Sequence, residues 1–194
     1  MKDLKSKSDS QLVVLALKNQ EKFEHLVERY EKKLSRYIRR ITGLDTESIE
    51  DILQESFIKI YINLNDYDSD FSFSSWAYRI THNEAINYLR KNKKVITVAL
   101  ENDDEDTTNL IEVLKSEIDI EAEISQKDLV ERIRKAISLL PDKYREVLIL
   151  RYMEDLNYEE ISDILRMPMG TVATTINRAK EKFKLIAEKM HLNS

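Results

Sequence analysis

The chain has 194 residues, no cysteine, and only two glycines and two prolines. The lack of cysteine excludes disulfides and thiolate metal sites, and the scarcity of glycine and proline favours helices over strands and tight turns. The N-terminal sequence MKDLKSKSDSQ lacks the apolar core of a signal peptide, and no run approaches the length of a membrane span. We therefore expect a cytoplasmic protein without membrane insertion.

The net charge of −5 is distributed unevenly along the chain. Residues 1–94 carry 17 basic and 15 acidic side chains, and residues 127–194 carry 13 basic and 11 acidic ones. Residues 95–126 carry one lysine and ten acidic residues. The pattern predicts an all-α fold with two small helical domains, 1–94 and 127–194, joined by an acidic flexible linker over 95–126.

Three helices are expected first along the chain. The earliest covers about 10–18, and apolar residues at steps of three and four over 23–41 predict a second helix that ends near Gly43. Thr46 is a suitable N-cap for the third helix, whose apolar side carries Ile49, Ile52, Leu53, Phe57, Ile60 and Tyr61. A polar loop with interleaved aromatic residues, NDYDSDFSFSS, follows.

The helix predicted over about 74–91 carries the most informative surface of the N-terminal half. At 100° per residue its apolar face groups Ala77, Tyr78, Ala85, Tyr88 and Leu89. The opposite side holds one aromatic ring, two amides and two guanidinium groups, followed by a lysine: Trp76, Arg79, Asn83, Asn87, Arg90 and Lys91. Such a stripe suits unpaired DNA, which needs stacking, base-edge and phosphate contacts. The simpler interpretation is a solvated face with a half-buried tryptophan.

Four short helices are expected in the C-terminal half. A helix over 129–140 is stopped by Pro141, which suits the first turn of the next helix. Asn157 caps a further helix with Glu160 three residues on, a variant of the capping box, and Pro168 opens the last helix. The inward residues of that helix are Val172, Ile176, Ala179 and Phe183. The final pair predicts a DNA-reading helix-turn-helix, although plain bundles also contain such pairs.

Four segments occur in the order found in bacterial extracytoplasmic-function (ECF) sigma factors of the sigma-70 family: DILQESFIKIY, FSFSSWAYRITHNEAINYLRK, LLPDKYREVLILRYMEDLNYEEISDIL and MPMGTVATTINRAKEKF. The sequence resembles that family over 8–94 and 127–189. The resemblance implies an initiation factor that binds core RNA polymerase and directs promoter-specific transcription of a stress or envelope-response regulon. Region 2, over 1–94, would recognise and melt the −10 element, and region 4, over 127–194, would read the −35 element as duplex DNA.

The resemblance also implies roles for individual side chains. Asp51, Gln54 and Glu55 would lie on the helix that docks to the clamp coiled coil of the largest polymerase subunit. Phe73 and the loop 66–72 would form a pocket for a flipped base. The displaced −10 strand would be held by the stripe described above: Trp76, Arg79, Asn83, Asn87, Arg90 and Lys91. The −35 element would be contacted by the last helix: Thr171, Thr174, Asn177, Arg178, Lys180 and Lys182. The acidic linker would thread towards the polymerase active-site channel, or serve only as a disordered tether.

Two departures from the family pattern bear on these roles. The loop DYDSDFSFSS carries three aspartates and no basic residue, where relatives usually place one. The last helix has Ala173 and Thr175 where relatives often carry Lys or Arg. Base reading should therefore depend on Thr171, Thr174, Asn177 and Arg178.

Two other functions are less consistent with the sequence. A stand-alone helix-turn-helix regulator would need a dimerisation surface, and no heptad run or separate sensor domain is present. An enzyme is not indicated, because His25, His82 and His191 are scattered and no glycine-rich phosphate loop occurs. We therefore predict no catalytic residue, metal, cofactor or small-molecule substrate. An anti-sigma factor is a further candidate partner.

Overall fold

The computed structural model describes residues 4–92, 105–116 and 126–190, and these ranges contain helices and turns but no strand. The helices are α1 (Asp9–Lys18), α2 (Glu24–Thr42), α3 (Thr46–Ile62), α4 (Phe73–Lys91), α5 (Glu105–Lys115), α6 (Gln126–Ser138), α7 (Asp142–Leu148), α8 (Tyr158–Leu165) and α9 (Met169–Lys189). The chain divides into two compact units, 1–96 and 97–194. The predicted all-α class with two helical domains is confirmed for the described residues.

The first unit is built around α2, whose apolar stripe lies inside. Its buried apolar residues are Leu26, Tyr30, Leu34, Tyr37, Ile38 and Ile41. The helix ends at Gly43, whose φ of 63° lies in the left-handed region that favours glycine. The N-cap of α3 is Asp45 and not Thr46, because the Asp45 carboxylate accepts hydrogen bonds from the Ser48 amide at 2.9 Å and the Ser48 hydroxyl at 3.2 Å. A carboxylate there also complements the positive end of the helix dipole.

Helix α4 is fixed to the rest of the first unit along its length. Three polar pairs join it to α2 and α3: Tyr37–His82 at 2.9 Å, Lys59–Glu84 at 2.6 Å and Tyr88–Ser48 at 2.9 Å. Ala77, Ala85 and Leu89 face inward and are at most 3% exposed. Because α4 is held on one side, its opposite side is presented to solvent in a fixed orientation.

In the second unit, a buried arginine holds the turn between α6 and α7. The Arg145 side chain is 4% exposed and donates to the Ser138 and Leu140 carbonyl oxygens at 3.1 and 2.9 Å. A π-helical turn over Ile149–Met153 follows α7. It places three side chains in the core: Ile149, Leu150 and Met153, each at most 3% exposed.

The helix-turn-helix consists of α8, a short turn and α9. Asn157 Oδ1 accepts hydrogen bonds from the Glu159 and Glu160 amides, and the Glu160 carboxylate accepts one from the Asn157 amide, so the predicted capping box is confirmed. Arg166 ends α8 with a left-handed φ of 53°. The Ser162 hydroxyl then donates to the Met167 carbonyl at 2.6 Å, which closes the turn before α9 begins.

The acidic segment 95–126 differs from the flexible linker that was expected. Within it, α5 packs against the π-helical turn and α6, inside the second unit. Leu110, Ile111 and Leu114 are at most 3% exposed. Their spacing makes a narrow apolar stripe on α5. The composition of the segment, which is dominated by acidic residues, does not indicate this stripe. Residues 93–104 and 117–125 lie outside the described residues.

Candidate nucleic-acid interfaces and docking surface

The outer side of α4 presents most of the predicted polar stripe. Asn83, Asn87, Arg90 and Lys91 are exposed, and Arg79 is half-buried. The two amides and the two guanidinium groups fall within roughly 80° of helix rotation. They therefore form one continuous edge of hydrogen-bonding groups on a helix whose inner side is fixed.

Two predicted members of this site belong instead to the core. Phe73 and Trp76 are 3% and 7% exposed, and both rings pack against Tyr67, with centroids 5.4 and 5.6 Å away. The Phe73 ring also contacts Tyr30 at 5.3 Å. Large rings gain more from burial than from exposure, and these rings offer no free face to a base. The base pocket predicted at Phe73 and the stacking predicted for Trp76 are corrected accordingly.

The exposed ring of the adjoining loop is Phe71, which is 56% exposed. Ser72 is the N-cap of α4, and its hydroxyl accepts from the Ser75 amide at 3.4 Å. Phe73 is thus the first helical residue and turns inward, whereas Phe71 stays outside the helix. The Tyr67 hydroxyl donates to the Phe71 carbonyl at 2.8 Å and holds the loop compact. The sequence analysis placed Phe71 within the predicted pocket loop 66–72 but singled out Phe73, because it began this helix at Ser74 and overlooked the cap at Ser72.

The outer side of α3 carries the predicted docking residues. Asp51, Gln54 and Glu55 are all exposed. Glu55 lies 3.7 Å from Lys59, whose ammonium also binds Glu84 at 2.6 Å. The hydrogen bond that Lys59 donates to Glu84 is the main cause that raises the pKa of Lys59, so this lysine stays charged and is held between two carboxylates.

Two isoleucines extend this surface and were missed from the sequence. Ile58 and Ile62 are 52% and 67% exposed. With Asp51 and Glu55 they lie within about 60° on the helix, so acidic and apolar side chains share one face. The available signal was that both isoleucines fall outside the inward stripe of α3. We call this face, Asp51, Gln54, Glu55, Ile58 and Ile62, the α3 face.

Helix α9 separates its two sides cleanly. Val172, Ile176, Ala179 and Phe183 are at most 1% exposed, as the spacing predicts. The outward side presents five of the six predicted −35 residues: Thr171, Thr174, Asn177, Arg178 and Lys182, all exposed. This outward set is called the α9 face.

Two side chains of α9 have less freedom than the sequence suggested. The Thr174 hydroxyl donates to the Gly170 carbonyl at 2.8 Å, which leaves its oxygen lone pairs and its methyl group for a partner. Lys180 is half-buried, and its ammonium lies over the Tyr152 ring at 5.8 Å. Lys180 therefore lies at the flank of the α9 face, which corrects its placement among the outward residues.

The structure describes two of the three histidines, His25 and His82, and they have different surroundings. His25 lies beside Glu24 and Glu28 on α2, and burial lowers the pKa of His82 to about 4. His191 lies outside the described residues. Among the residues that the structure describes, no group of three or more His, Asp or Glu side chains could hold a metal ion. No helix in the same ranges is long and apolar enough to span a membrane.

Comparison with known proteins identifies the family. The sigma-70 region 2 model matches residues 26–95, and a sigma-70 region 4 model matches residues 130–183. The chain is 34% identical to the ECF RNA polymerase sigma factor SigW of Bacillus subtilis over 86% of its own length and 89% of that protein. The chain belongs to the ECF sigma factors of the sigma-70 family. It is a sigma factor that directs transcription initiation, and the match to region 2 leaves the stand-alone regulator without support.

Other relatives agree with this assignment. The ECF RNA polymerase sigma-E factor of Haemophilus influenzae is 34% identical over 82% of this chain and 84% of that protein. The structure of CnrH in complex with the cytosolic domain of CnrY superposes with a TM-score of 0.65 at 20% identity, covering 94% of this chain and 99% of that one. The sigma factor RpoE of Bartonella quintana, solved with the anti-sigma factor NepR, gives a TM-score of 0.61 at 16% identity, over 86% and 96% of the two chains. At these identities the two structures show the fold alone.

Proposed function

We propose that this sigma factor binds core RNA polymerase through the α3 face, holds the melted −10 strand with the outer side of α4, and reads the −35 duplex with the α9 face. Its action is by binding and not by catalysis, and it takes place in the cytoplasm. The single observation that carries the proposal is that three solvent-facing surfaces of different chemistry lie on helices whose opposite sides are buried.

The α4 surface suits single-stranded DNA. Asn83 and Asn87 supply donors and acceptors for base edges, and Arg90 and Lys91 supply charge for phosphates. Phe71 supplies an exposed ring at the start of the helix, and base–aromatic stacking is sequence-tolerant. Phe71 therefore takes the stacking role that was predicted for Trp76.

The α3 face suits a protein partner. Exposed apolar side chains beside carboxylates offer hydrophobic burial together with charge complementarity to a basic helix. The acidic residues make contact with DNA phosphates unfavourable on this side. We propose that Ile58 and Ile62 contribute most of the docking energy and that Asp51 and Glu55 set orientation.

The test of the α3 face is competition for core polymerase. The Ile58→Ser, Ile62→Ser double variant should bind core polymerase at least tenfold more weakly, as hot-spot side chains do. Val14→Ser is the matched control, since Val14 is a comparably exposed apolar residue (51%) on α1. If both variants lose the same affinity for core polymerase, the α3 face is not the docking surface.

The overall proposal is tested by run-off transcription. The purified chain with core polymerase should start transcripts at sites that lack housekeeping promoter elements. Failure to bind core polymerase or to start transcripts would refute it. An anti-sigma factor is proposed as a further partner, by analogy with NepR, which is bound to the Bartonella quintana protein.

A further inference from the structure

Phe71 combines an accessible ring with a backbone that is held on both sides. The residue is 56% exposed and lies in the loop that precedes α4. Its amide donates to the Asp68 carbonyl at 3.1 Å, and its carbonyl accepts from the Tyr67 hydroxyl at 2.8 Å. The loop therefore fixes the backbone of Phe71 while the ring stays open to solvent.

The Tyr67 side chain that makes the second of these bonds is itself fixed by the core of the first unit. Its ring packs against Phe73 and Trp76, with centroids 5.4 and 5.6 Å away, and those residues are 3% and 7% exposed. Its amide donates to the carbonyl of the buried Leu64 at 3.4 Å. The core thus sets the position of the Tyr67 hydroxyl, which in turn sets the position of a loop residue.

The aromatic cluster is also fixed on its other side. The Phe73 ring packs against Tyr30 at 5.3 Å, and the Tyr30 hydroxyl donates to the Asp9 carboxylate at 2.5 Å. Helices α1, α2 and α4 therefore each contribute a residue to this arrangement: Asp9, Tyr30 and Phe73. Because the rings are held independently of the loop, removal of the Tyr67 hydroxyl alone should leave their packing unchanged.

The chemistry of the loop makes its ring the group best suited to unpaired DNA. The loop sequence DYDSDFSFSS contains no basic residue to pair with phosphate. The Asp68 carboxylate accepts from the Asp70 amide at 3.0 Å, so one of the three loop aspartates helps to shape the loop. Base–aromatic stacking requires only an accessible ring face, which Phe71 supplies.

A ring that is already held in place binds a base at a lower entropic cost than a ring in a flexible loop. Ordering a flexible segment opposes binding, and a segment ordered beforehand avoids that cost. A single hydrogen bond that holds the segment changes an equilibrium by about twofold to tenfold. The Tyr67 hydroxyl can therefore influence DNA affinity without contacting DNA.

We propose that Tyr67 is a positioning residue for base stacking: its hydroxyl holds the Phe71 backbone, so that the exposed ring is in place before the −10 strand is melted. The inference rests on the proposed binding of the melted strand by the outer side of α4 and by Phe71. It adds a residue that acts through Phe71 and lies outside the set of proposed DNA contacts.

The test is a double-mutant cycle on Tyr67 and Phe71 in holoenzyme. The probe is a single-stranded oligonucleotide with the non-template −10 sequence of a promoter found by run-off transcription, and fluorescence anisotropy measures its affinity. Phe71→Ala should weaken binding at least about fivefold. Tyr67→Phe, which deletes only the hydroxyl, should weaken binding about twofold to tenfold in the parent. It should have no effect in the Phe71→Ala background, because the ring that it positions is then absent.

Tyr88→Phe is the matched control. It also deletes a tyrosine hydroxyl that makes a hydrogen bond in the first unit, to the Ser48 hydroxyl at 2.9 Å, but Tyr88 lies towards the opposite end of α4. This variant should bind the oligonucleotide as the parent does. In the free chain, hydrogen exchange of the Phe71 amide should be about twofold to tenfold faster in Tyr67→Phe and unchanged in Tyr88→Phe.

The outcomes separate this inference from the proposed function. If Phe71→Ala weakens binding and Tyr67→Phe does not, the positioning role is overturned and the proposed stacking stands. If Tyr67→Phe weakens binding equally in both backgrounds, Tyr67 does not act through Phe71, and the positioning role is again overturned. If Phe71→Ala has no effect, the proposed stacking is refuted and the positioning role with it.

Discussion

At the residue scale, Arg178 and Lys182 differ in the contact that each is placed to make. Both are exposed on the α9 face, but a planar guanidinium binds guanine O6 and N7 through two hydrogen bonds, whereas an ammonium acts as a point charge on phosphate. Arg178→Ala should lose about 1–3 kcal/mol of discrimination at one −35 base pair. Lys182→Ala should weaken all sequences evenly and reduce the salt slope by about one.

The measurement for this pair is holoenzyme titrated on −35 variants at several salt concentrations. Thr174 is a further candidate for base contacts. Its hydroxyl donates to the Gly170 carbonyl, so its methyl group and its oxygen lone pairs stay available to a base. If Arg178→Ala weakens every sequence equally, Arg178 contacts the backbone, and Thr174 and Asn177 are left as the readers.

Asn83 and Asn87 provide a second prediction at this scale. Alanine is a better helix former than asparagine, and both side chains are exposed, so Asn→Ala at either position should not destabilise α4. Any loss of function then reports lost contacts with DNA. We expect the double variant to weaken open-complex formation more than closed-complex binding, because unpaired bases exist only after melting.

Permanganate footprinting measures the unpaired thymines in that experiment. Lys32→Ala is the control, since Lys32 is an exposed residue of α2 outside the three proposed surfaces. If parent and double variant give footprints of equal strength, the polar stripe of α4 is an ordinary solvated face that does not bind the melted strand.

At the element scale, the position of α9 depends on how α8 begins. Asn157 satisfies two amides at the start of α8, those of Glu159 and Glu160. Asn157→Ala should therefore cost about 1 kcal/mol of stability in the second unit. Urea unfolding of the full chain measures it, with Glu159→Gln as the control because its exposed side chain is outside the cap. A loss in Asn157→Ala no larger than in the control would mean that the cap does not stabilise α8.

The elements also show what the sequence could predict and where it could not. The inward side of α9 followed from spacing, because Val172 and Ile176 repeat with the period of a helix that is buried on one side. The sequence did not predict which of Phe71 and Phe73 is exposed. The two residues are identical and two positions apart, so only the first residue of the helix decides which ring turns inward. Helix α5 was missed because Leu110 and Leu114 occur among acidic residues, and tertiary packing, which composition does not reveal, makes the segment helical. The roles in contacting DNA stay predictions.

At the scale of the whole molecule, the two units contain buried titratable groups with opposite effects on stability. Burial lowers the pKa of His82 in the first unit to about 4. Burial, assisted by the charge of Asp142 and opposed by that of Arg145, raises the pKa of Glu146 in the second unit to about 7. In the folded state His82 stays neutral at pH values below 6.5, where the unfolded chain would protonate it. Glu146 stays neutral at pH values above 4.5, where the unfolded chain would ionise it.

The signs of the two pH dependences follow from proton linkage. Below pH 6.5 the unfolded chain protonates His82 while the folded first unit does not, so the first unit loses stability as pH falls from 6.5 towards 4. Above pH 4.5 the unfolded chain ionises Glu146 while the folded second unit does not, so the second unit loses stability as pH rises from 4.5 to 7. Each effect is at most about 3 kcal/mol.

Changing the pH from 7.5 to 5 should therefore move the two unfolding transitions in opposite directions, by up to about 20 °C between them. Fluorescence of Trp76, the single tryptophan of the chain, follows the first unit, and far-UV circular dichroism follows both. Glu146→Gln should remove the pH dependence of the second transition and leave the Trp76 transition as in the parent. His82→Gln should do the reverse, with the amide still able to hydrogen-bond to Tyr37. If the two transitions shift together with pH in the parent chain, these buried groups do not control the stability of the units in which they lie.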